Sequence, residues 1–469
     1  MKKKLLFYPL TIGIFTFLSW FVIDKGKALA PSGEIVLHPA VHPAASAHPA
    51  AGVGSLGLLL LQIIIIFFVS KLFGRIITRI GQPAVVGEII AGLFLGPSIM
   101  GWIFPGFSNF IFPKDSLGNL QFLSQMGLLF FMFLIGVDLD IDKLKNKAPS
   151  AIVISHASIV FPYFLGVTLA YNLYNEFAPA GVSFLSFSLF MGIAMSITAF
   201  PVLARILQEK GLTKTPLGAM ALTCAAADDV TAWCILAVVI AFVKAGNISS
   251  ALVTIFLTLL FVLLMLFVVR PWLKKIIDKA GERKKSNETV VTLAFFVLLV
   301  SAWFAEVIGI HALFGAFLAG AIMPKTEKFK DLLAGKTEDI SVLVLLPLYF
   351  AFTGLRTQIG LLNDAHLWAV FGMVVFFAIF GKFGGSAAAA RITGHSWRDA
   401  FSIGALMNAR GLMELIVLNI GYDLGILSPK IFALMVLMAI ITTFMTTPLL
   451  EIILQFRKYQ RRAVSSESK

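Results

Sequence analysis

This sequence predicts an all-α polytopic membrane protein of about 13 transmembrane helices, arranged as inverted five-helix repeats with discontinuous crossing helices. Three observations carry that expectation. Of 469 residues, 58% are hydrophobic and only 13% charged, whereas soluble domains carry about a quarter charged residues. Basic residues fall in short clusters between apolar runs, concentrated on alternate connections. Two segments also share one pattern, Gly87-Glu-Ile-Ile-Ala-Gly92 followed by Pro97 and Gly315-Ala-Phe-Leu-Ala-Gly320 followed by Pro324.

A helix spanning the bilayer needs about 20 apolar residues, so the chain has room for more than a dozen spans and for no large soluble domain. That excludes a soluble enzyme. The net charge of +13 is spread over separate clusters, so it reports topology rather than a nucleic-acid surface. Cys224 and Cys234 lie ten residues apart on one expected helix, about 15 Å along its axis and beyond disulfide reach.

Residues 1–30 read as a signal peptide or N-terminal anchor: lysines at positions 2 to 4, an apolar run from Leu5 to Ile23, then Ala28-Leu-Ala30. Pro31, just past the presumed cut, keeps the uncleaved anchor open. Residues 31–53 are rich in Ala, Pro and His and read as an exported flexible linker. His38, His42 and His48 are each followed by Pro, which favours extended backbone over an organised metal site. Thirteen spans follow, at about 54–73, 82–100, 117–137, 149–172, 183–207, 216–243, 249–269, 289–308, 309–323, 339–356, 366–391, 398–420 and 430–455. Residues 456–469 form a basic tail.

With the residue-54 end outside, one set of connections holds 27 Lys and Arg and the other holds 4 (Lys114, Lys244, Arg356 and Lys430). The positive-inside rule therefore puts the N-terminus out and the C-terminus in. The two glycine segments fall in spans two and nine, which then cross in opposite directions. That pattern suggests inverted repeats, spans two to six against nine to thirteen, the usual architecture of secondary transporters. Close helix approach alone would also select such glycines.

Asp228 and Asp229, in the middle of span six, are the strongest chemical signal. A carboxylate at mid-bilayer costs about 2.5–3.5 kcal/mol on insertion scales and marks an ion or proton path. Adjacent helix positions point about 100° apart, so one acid faces a partner while the other faces a cavity. Lys382, within Phe380-Gly-Lys-Phe-Gly-Gly385, is a candidate partner; a lysine snorkelling to the membrane face is the alternative. In span five, Ser196-Ile-Thr198-Ala-Phe-Pro201 offers hydroxyls beside a proline that disturbs the helix. In span twelve, Asn408-Ala-Arg410-Gly411-Leu-Met-Glu414 offers a second break at Gly411, with Arg410 placed to compensate a half-helix end. Glu88 and Glu414 are possible secondary acids. His156, His311, His366 and His395 show no informative spacing.

These motifs, with Val202-Leu-Ala-Arg205, Ala226-Ala-Asp-Asp-Val230 and Leu415, resemble the monovalent cation:proton antiporter-2 superfamily over about 54–455. The resemblance implies a sodium/proton antiporter-like fold. Its core helices, about 149–243 and 366–455, would move as an elevator against dimerisation helices at about 54–137 and 309–356. It implies Asp229 as the principal cation and proton carboxylate, Asp228 as the acid paired with Lys382, and Thr198 as a crossover residue. It implies a homodimer in a bacterial plasma membrane, with no nucleotide-binding domain in this chain. The double Asp with the Lys looks like the electrogenic sodium/proton type, whereas the 196–205 stretch is similar to plant exchangers handling potassium.

The expected function is exchange of Na⁺, or Li⁺ or K⁺, for H⁺, with no cofactor beyond the transported ions and no enzymatic activity. An aspartyl hydrolase needs two facing carboxylates, and adjacent ones diverge. A gated cation channel or an ion-sensing receptor are the rivals from other classes.

Overall fold

A computed structural model describes residues 2–29, 55–138, 148–213, 215–245, 248–281, 286–324, 329 and 341–467. The 31–53 linker with its three histidines lies outside these residues. Every regular element among the described residues is helical. By length and composition, 11 helical segments among them can cross a membrane. The other two expected spans, 309–323 and 398–420, differ for a physical reason. The first contains the ten-residue helix Ala312–Ala321, too short for a full crossing at 1.5 Å per residue. The second is two half-helices, Trp397–Met407 and Leu412–Asp423.

In chain order the helices that matter are α1 (Lys2–Gly26), α2 (Ser55–Arg79), α3 (Ala84–Leu95), α4 (Leu117–Asp138), α5 (Ala148–Phe177), α6 (Phe184–Ser196), α7 (Phe200–Glu209) and α8 (Pro216–Ala245). They continue with α9 (Ile248–Leu264), α10 (Ser286–Ile308), α11 (Ala312–Ala321), α12 (Leu346–Arg356), α13 (Ala365–Ile379), α14 (Trp397–Met407), α15 (Leu412–Asp423) and α16 (Pro429–Glu467). Helix α1 packs along α5, with Phe15 ring centroids 5.1 Å from Phe161 and 5.6 Å from Phe164.

The two glycine-patterned segments do the same job. Helix α3 lies between α2 and α12, and α11 lies between α10 and α4. At Gly92 a Cβ would run into the Ala351 carbonyl of α12, and at Gly320 one would run into the Phe133 carbonyl of α4. Each partner answers with its own glycine, Gly354 and Gly136, where a Cβ would likewise meet the backbone opposite. Bare backbones let these helices approach closely, which is how packing holds helices together where lipid supplies no hydrophobic drive. The expected correspondence began at spans two and nine. The helices before them pack alike, since α2 lies against α3 as α10 lies against α11.

Burial differs sharply among the spans. Only 17% of the Ser55–Arg79 window and 11% of the Ser249–Ile277 window are buried, against 78% for Phe184–Gln208. Leu56, Leu60, Ile64 and Phe68 form an exposed stripe on α2, so apolar side chains face outward there and lipid is their natural solvent.

Candidate functional site

Two helix breaks lie against each other at the centre of the bundle. Helix α6 ends at Ser196, the chain runs extended through Ile197 (φ −79°, ψ 141°) and Ala199 (φ −95°, ψ 97°), and α7 begins at Phe200 with Pro201 in its first turn. Pro201 therefore starts a half-helix, where its missing amide would have had no partner. The second break runs from Asn408 through Gly411 between α14 and α15. The Ala199 amide donates to the Ala409 carbonyl at 3.1 Å, which ties one break to the other. A Cβ at Gly411 would stand 2.8 Å from Val202 Cγ2, so a side chain there would need Val202 to give way.

Arg410 is fully buried and closes the crossing. Its Nη1 and Nη2 donate to the carbonyls of Ala194 (3.0 Å) and Met195 (2.8 Å), at the C-terminal end of α6 where helix carbonyls lack partners. The same guanidinium pairs with buried Glu414 at 3.2 Å. Thr443 of α16 holds the Arg410 backbone: its Oγ1 lies 3.2 Å from the Arg410 amide and 2.6 Å from the Arg410 carbonyl. Asn408 donates from Nδ2 to the Thr442 carbonyl at 3.4 Å, and its Oδ1 has no protein donor.

Both aspartates of α8 reach this centre and are buried, but their surroundings are opposite. Asp228 accepts from Ser155 Oγ (2.6 Å) on Oδ1, and from Ser158 Oγ (2.6 Å), Thr198 Oγ1 (2.8 Å) and Lys382 Nζ (3.0 Å) on Oδ2. Lys382 is itself fully buried, in the wide turn Phe380–Gly384 that follows α13. Its place beside Asp228 rules out snorkelling. Asp229 is 3% exposed, and neither carboxylate oxygen has a hydrogen-bond partner in the protein. The charge of Asp228, the Phe200 amide and the charge of Lys382 act on it. One acid is thus saturated with donors and the other is bare.

Several residues singled out from the sequence fall elsewhere. Ser196 is buried but donates to the Ile193 carbonyl at 2.9 Å, capping its own helix. The Thr198 hydroxyl serves Asp228 and lies 3.3 Å from the Met407 carbonyl, rather than serving Asp229. Glu88 stands apart, half-buried on α3, where the Lys71 and Arg205 charges act on it. His366 meets Glu176 at 3.0 Å near the surface, and His156 contacts the Ile152 carbonyl. Sequence reasoning missed Ser155 and Ser158. Their spacing of three on α5 puts both on one helix face, a signal readable only once that face is known to meet Asp228.

A helical membrane bundle with two abutting half-helix pairs around a buried bare carboxylate defines a carrier of small charged species. Residues 63–455 match the family model described as sodium/hydrogen exchanger, transmembrane, and the chain belongs to that family. It is 45% identical over 393 residues to the Na⁺/H⁺ antiporter NhaS4 of a Synechocystis strain, covering 84% of this chain and 96% of that one. It is 43% identical to cation/H⁺ antiporter 17 of Arabidopsis thaliana and 34% identical to K⁺/H⁺ antiporter 1 of Saccharomyces cerevisiae, covering 84% and 88% of this chain. The chain spans about half the length of these plant and yeast relatives. Among solved structures, the sodium proton antiporter MjNhaP1 of Methanocaldococcus jannaschii superposes with a TM-score of 0.63 at 14% identity, covering 84% of this chain and 96% of that one. This likeness speaks to the fold.

Proposed function

We propose that this chain exchanges a monovalent cation for H⁺ across the membrane by alternating access, with Asp229 as the carboxylate that holds either one. The observation that carries this reading is the bare, buried Asp229 carboxylate beside a crossing of interrupted helices. An ionised carboxylate left unpaired in a protein interior costs several kcal/mol. Neutralising it with a proton or an alkali cation removes that cost, so the two ions compete for one place. An occupied site crosses and an empty anionic site does not, which is the coupling that exchange requires.

Na⁺ is the first choice of cation, supported by the 45% identity to a protein named as a Na⁺/H⁺ antiporter over nearly its whole length. K⁺ is the second reading, supported by the 34% identity to a K⁺/H⁺ antiporter. The chain acts as a carrier without catalysis or cofactor. It works as a homodimer with its C-terminus in the cytoplasm, and the helices bearing both crossings move as one body against the others. Two ion pairs span that boundary, Lys244 of α8 with Glu306 of α10 (3.6 Å) and Arg356 of α12 with Asp423 of α15. They would part and re-form in each cycle.

The test is cation-driven dequenching of a pH dye in proteoliposomes, with Na⁺, Li⁺ and K⁺ added separately. Wild type exchanges and Asp229→Asn does not, with at least a tenfold loss, equivalent to about 1.4 kcal/mol. Undiminished exchange by Asp229→Asn would reject the assignment.

A further inference from the structure

We propose that Ser155 and Ser158 are positioning residues that hold Asp228 ionised against Lys382, so that Asp229 alone loads and each turnover exchanges one cation for one proton. This rests on the antiport reading above and goes beyond it to stoichiometry.

The argument is a count of charges in a dry space. The buried core of the described residues holds Asp228 with Lys382 and Arg410 with Glu414, two pairs of zero net charge, and Asp229 besides. One monovalent ion or one proton on Asp229 brings this set to neutrality. A second proton, on Asp228, would leave the Lys382 ammonium buried without its counter-ion. It would also set four donors against a group that had lost its charge. Hydrogen bonds to an ionised carboxylate are roughly twice as strong as neutral ones, so this shell selects the anion.

The serines matter because Lys382 and Thr198 both act on Oδ2. Ser155 is the donor to Oδ1, the oxygen the lysine leaves uncovered. Ser158 joins the two sides: its hydroxyl lies 2.6 Å from Asp228 Oδ2 and 3.5 Å from Lys382 Nζ. The same hydroxyl also lies 2.8 Å from the Ser155 carbonyl, so its one hydrogen is shared between that carbonyl and Asp228. Without the serines, Asp228 keeps one partly shared charge and a bare oxygen, the condition that makes Asp229 a site. In the exchange itself the Asp229 O–H bond breaks, the proton leaves to water on one side, and the cation takes its place. No other proton moves.

This outcome differs from the electrogenic behaviour that the double aspartate with a lysine suggests by resemblance. The experiment uses the full chain in proteoliposomes, with a membrane potential set by a thiocyanate gradient so that no potassium is needed. A potential of 100 mV biases the transfer of one net charge by about 50-fold at equilibrium. The wild-type sodium/proton balance is expected not to respond to it, and a sodium jump on a solid-supported membrane should carry no net charge. Ser155→Ala/Ser158→Ala should exchange with a clear dependence on the potential. Ser155→Thr/Ser158→Thr, which keeps both hydroxyls, should return toward potential independence. Wild-type exchange that follows the potential overturns the proposal, and so does a double-alanine variant that exchanges as independently of potential as wild type. If the double variant does not insert, the wild-type measurement and the single Ser155→Ala variant decide in the same way. Absence of any sodium- or potassium-driven proton movement by wild type would instead reject the antiport reading.

Discussion

At the first crossing the chain leaves the helix after Ser196 and re-enters it at Phe200 with Pro201 in its first turn. At the second it leaves after Met407 and re-enters at Leu412 with no proline. Both end in short stretches of open backbone, but the polar groups that hold them are unevenly divided. Arg410, Glu414 and Asn408 come from the second crossing, and the Arg410 guanidinium reaches across to carbonyls of the first. The first crossing gives its hydroxyl, Thr198, to Asp228. The second break is therefore mainly support, and the first is a wall of the candidate site around Asp228. A proline on its own makes neither.

The largest effect expected from this division is at Arg410. Arg410→Met removes the donors to Ala194 and Met195 and strands buried Glu414. Breaking a buried pair from one side typically costs about 3–5 kcal/mol. Thermal unfolding of the detergent-solubilised protein should show a loss of that size, and adding Glu414→Gln should recover part of it. Melting at the wild-type temperature would mean the first crossing stands without the second.

Next is Gly411→Val, which drives new methyl groups toward Val202 and Ala199 where the breaks touch. Overpacking of this kind costs about 1–3 kcal/mol, and Gly411→Ala should fall at the low end because Val202 Cγ2 is the far end of a side chain. Thr443→Val comes third. It keeps the shape but removes the hydroxyl that serves the Arg410 backbone, at a cost of about 1–3 kcal/mol for the group left unsatisfied. A double variant with Arg410→Met should then cost less than the two singly, since both act on one junction.

The same asymmetry explains what could be read from the residues alone. Charges in an apolar run stand out because membrane insertion penalises them, so Asp228, Asp229, Lys382, Arg410 and Glu414 were all visible. The pairing of Arg410 with Glu414 was not, because Arg410 lies in the break ahead of the helix Leu412–Asp423 and helix spacing does not describe it. Pro201 gave the place of the first break and Gly411 that of the second. Ser155 and Ser158 were hidden because serine is ordinary in membrane helices, where its hydroxyl returns to a carbonyl three or four residues back. Ser196 does that, and so does Ser158, whose hydroxyl lies 2.8 Å from the Ser155 carbonyl and also 2.6 Å from Asp228 Oδ2; nothing in the sequence tells the two apart. Which aspartate is bare is a matter of helix phase against three other helices, and a run of two identical residues does not carry it. The short helix Ala312–Ala321 escaped as a full span because its apolar neighbours extend the run beyond the helix itself.

The smallest effect is at the residue that looks most like a helix breaker. Pro201 sits in the first turn of α7, where no intrahelical donor is needed, and the open stretch before it is fixed from outside by the Ala199–Ala409 hydrogen bond and by Arg410. Pro201→Ala should therefore leave the crossing in place. Its effect comes mainly through the unfolded chain, which gains freedom worth about 0.4–1 kcal/mol. Thermal unfolding should show a loss no larger than that, with proteoliposome exchange within about twofold of wild type, under 0.5 kcal/mol of barrier. A loss as large as that of Gly411→Val, with exchange abolished, would show that the proline makes the first break, and the two crossings would then be held by separate means rather than by one shared junction.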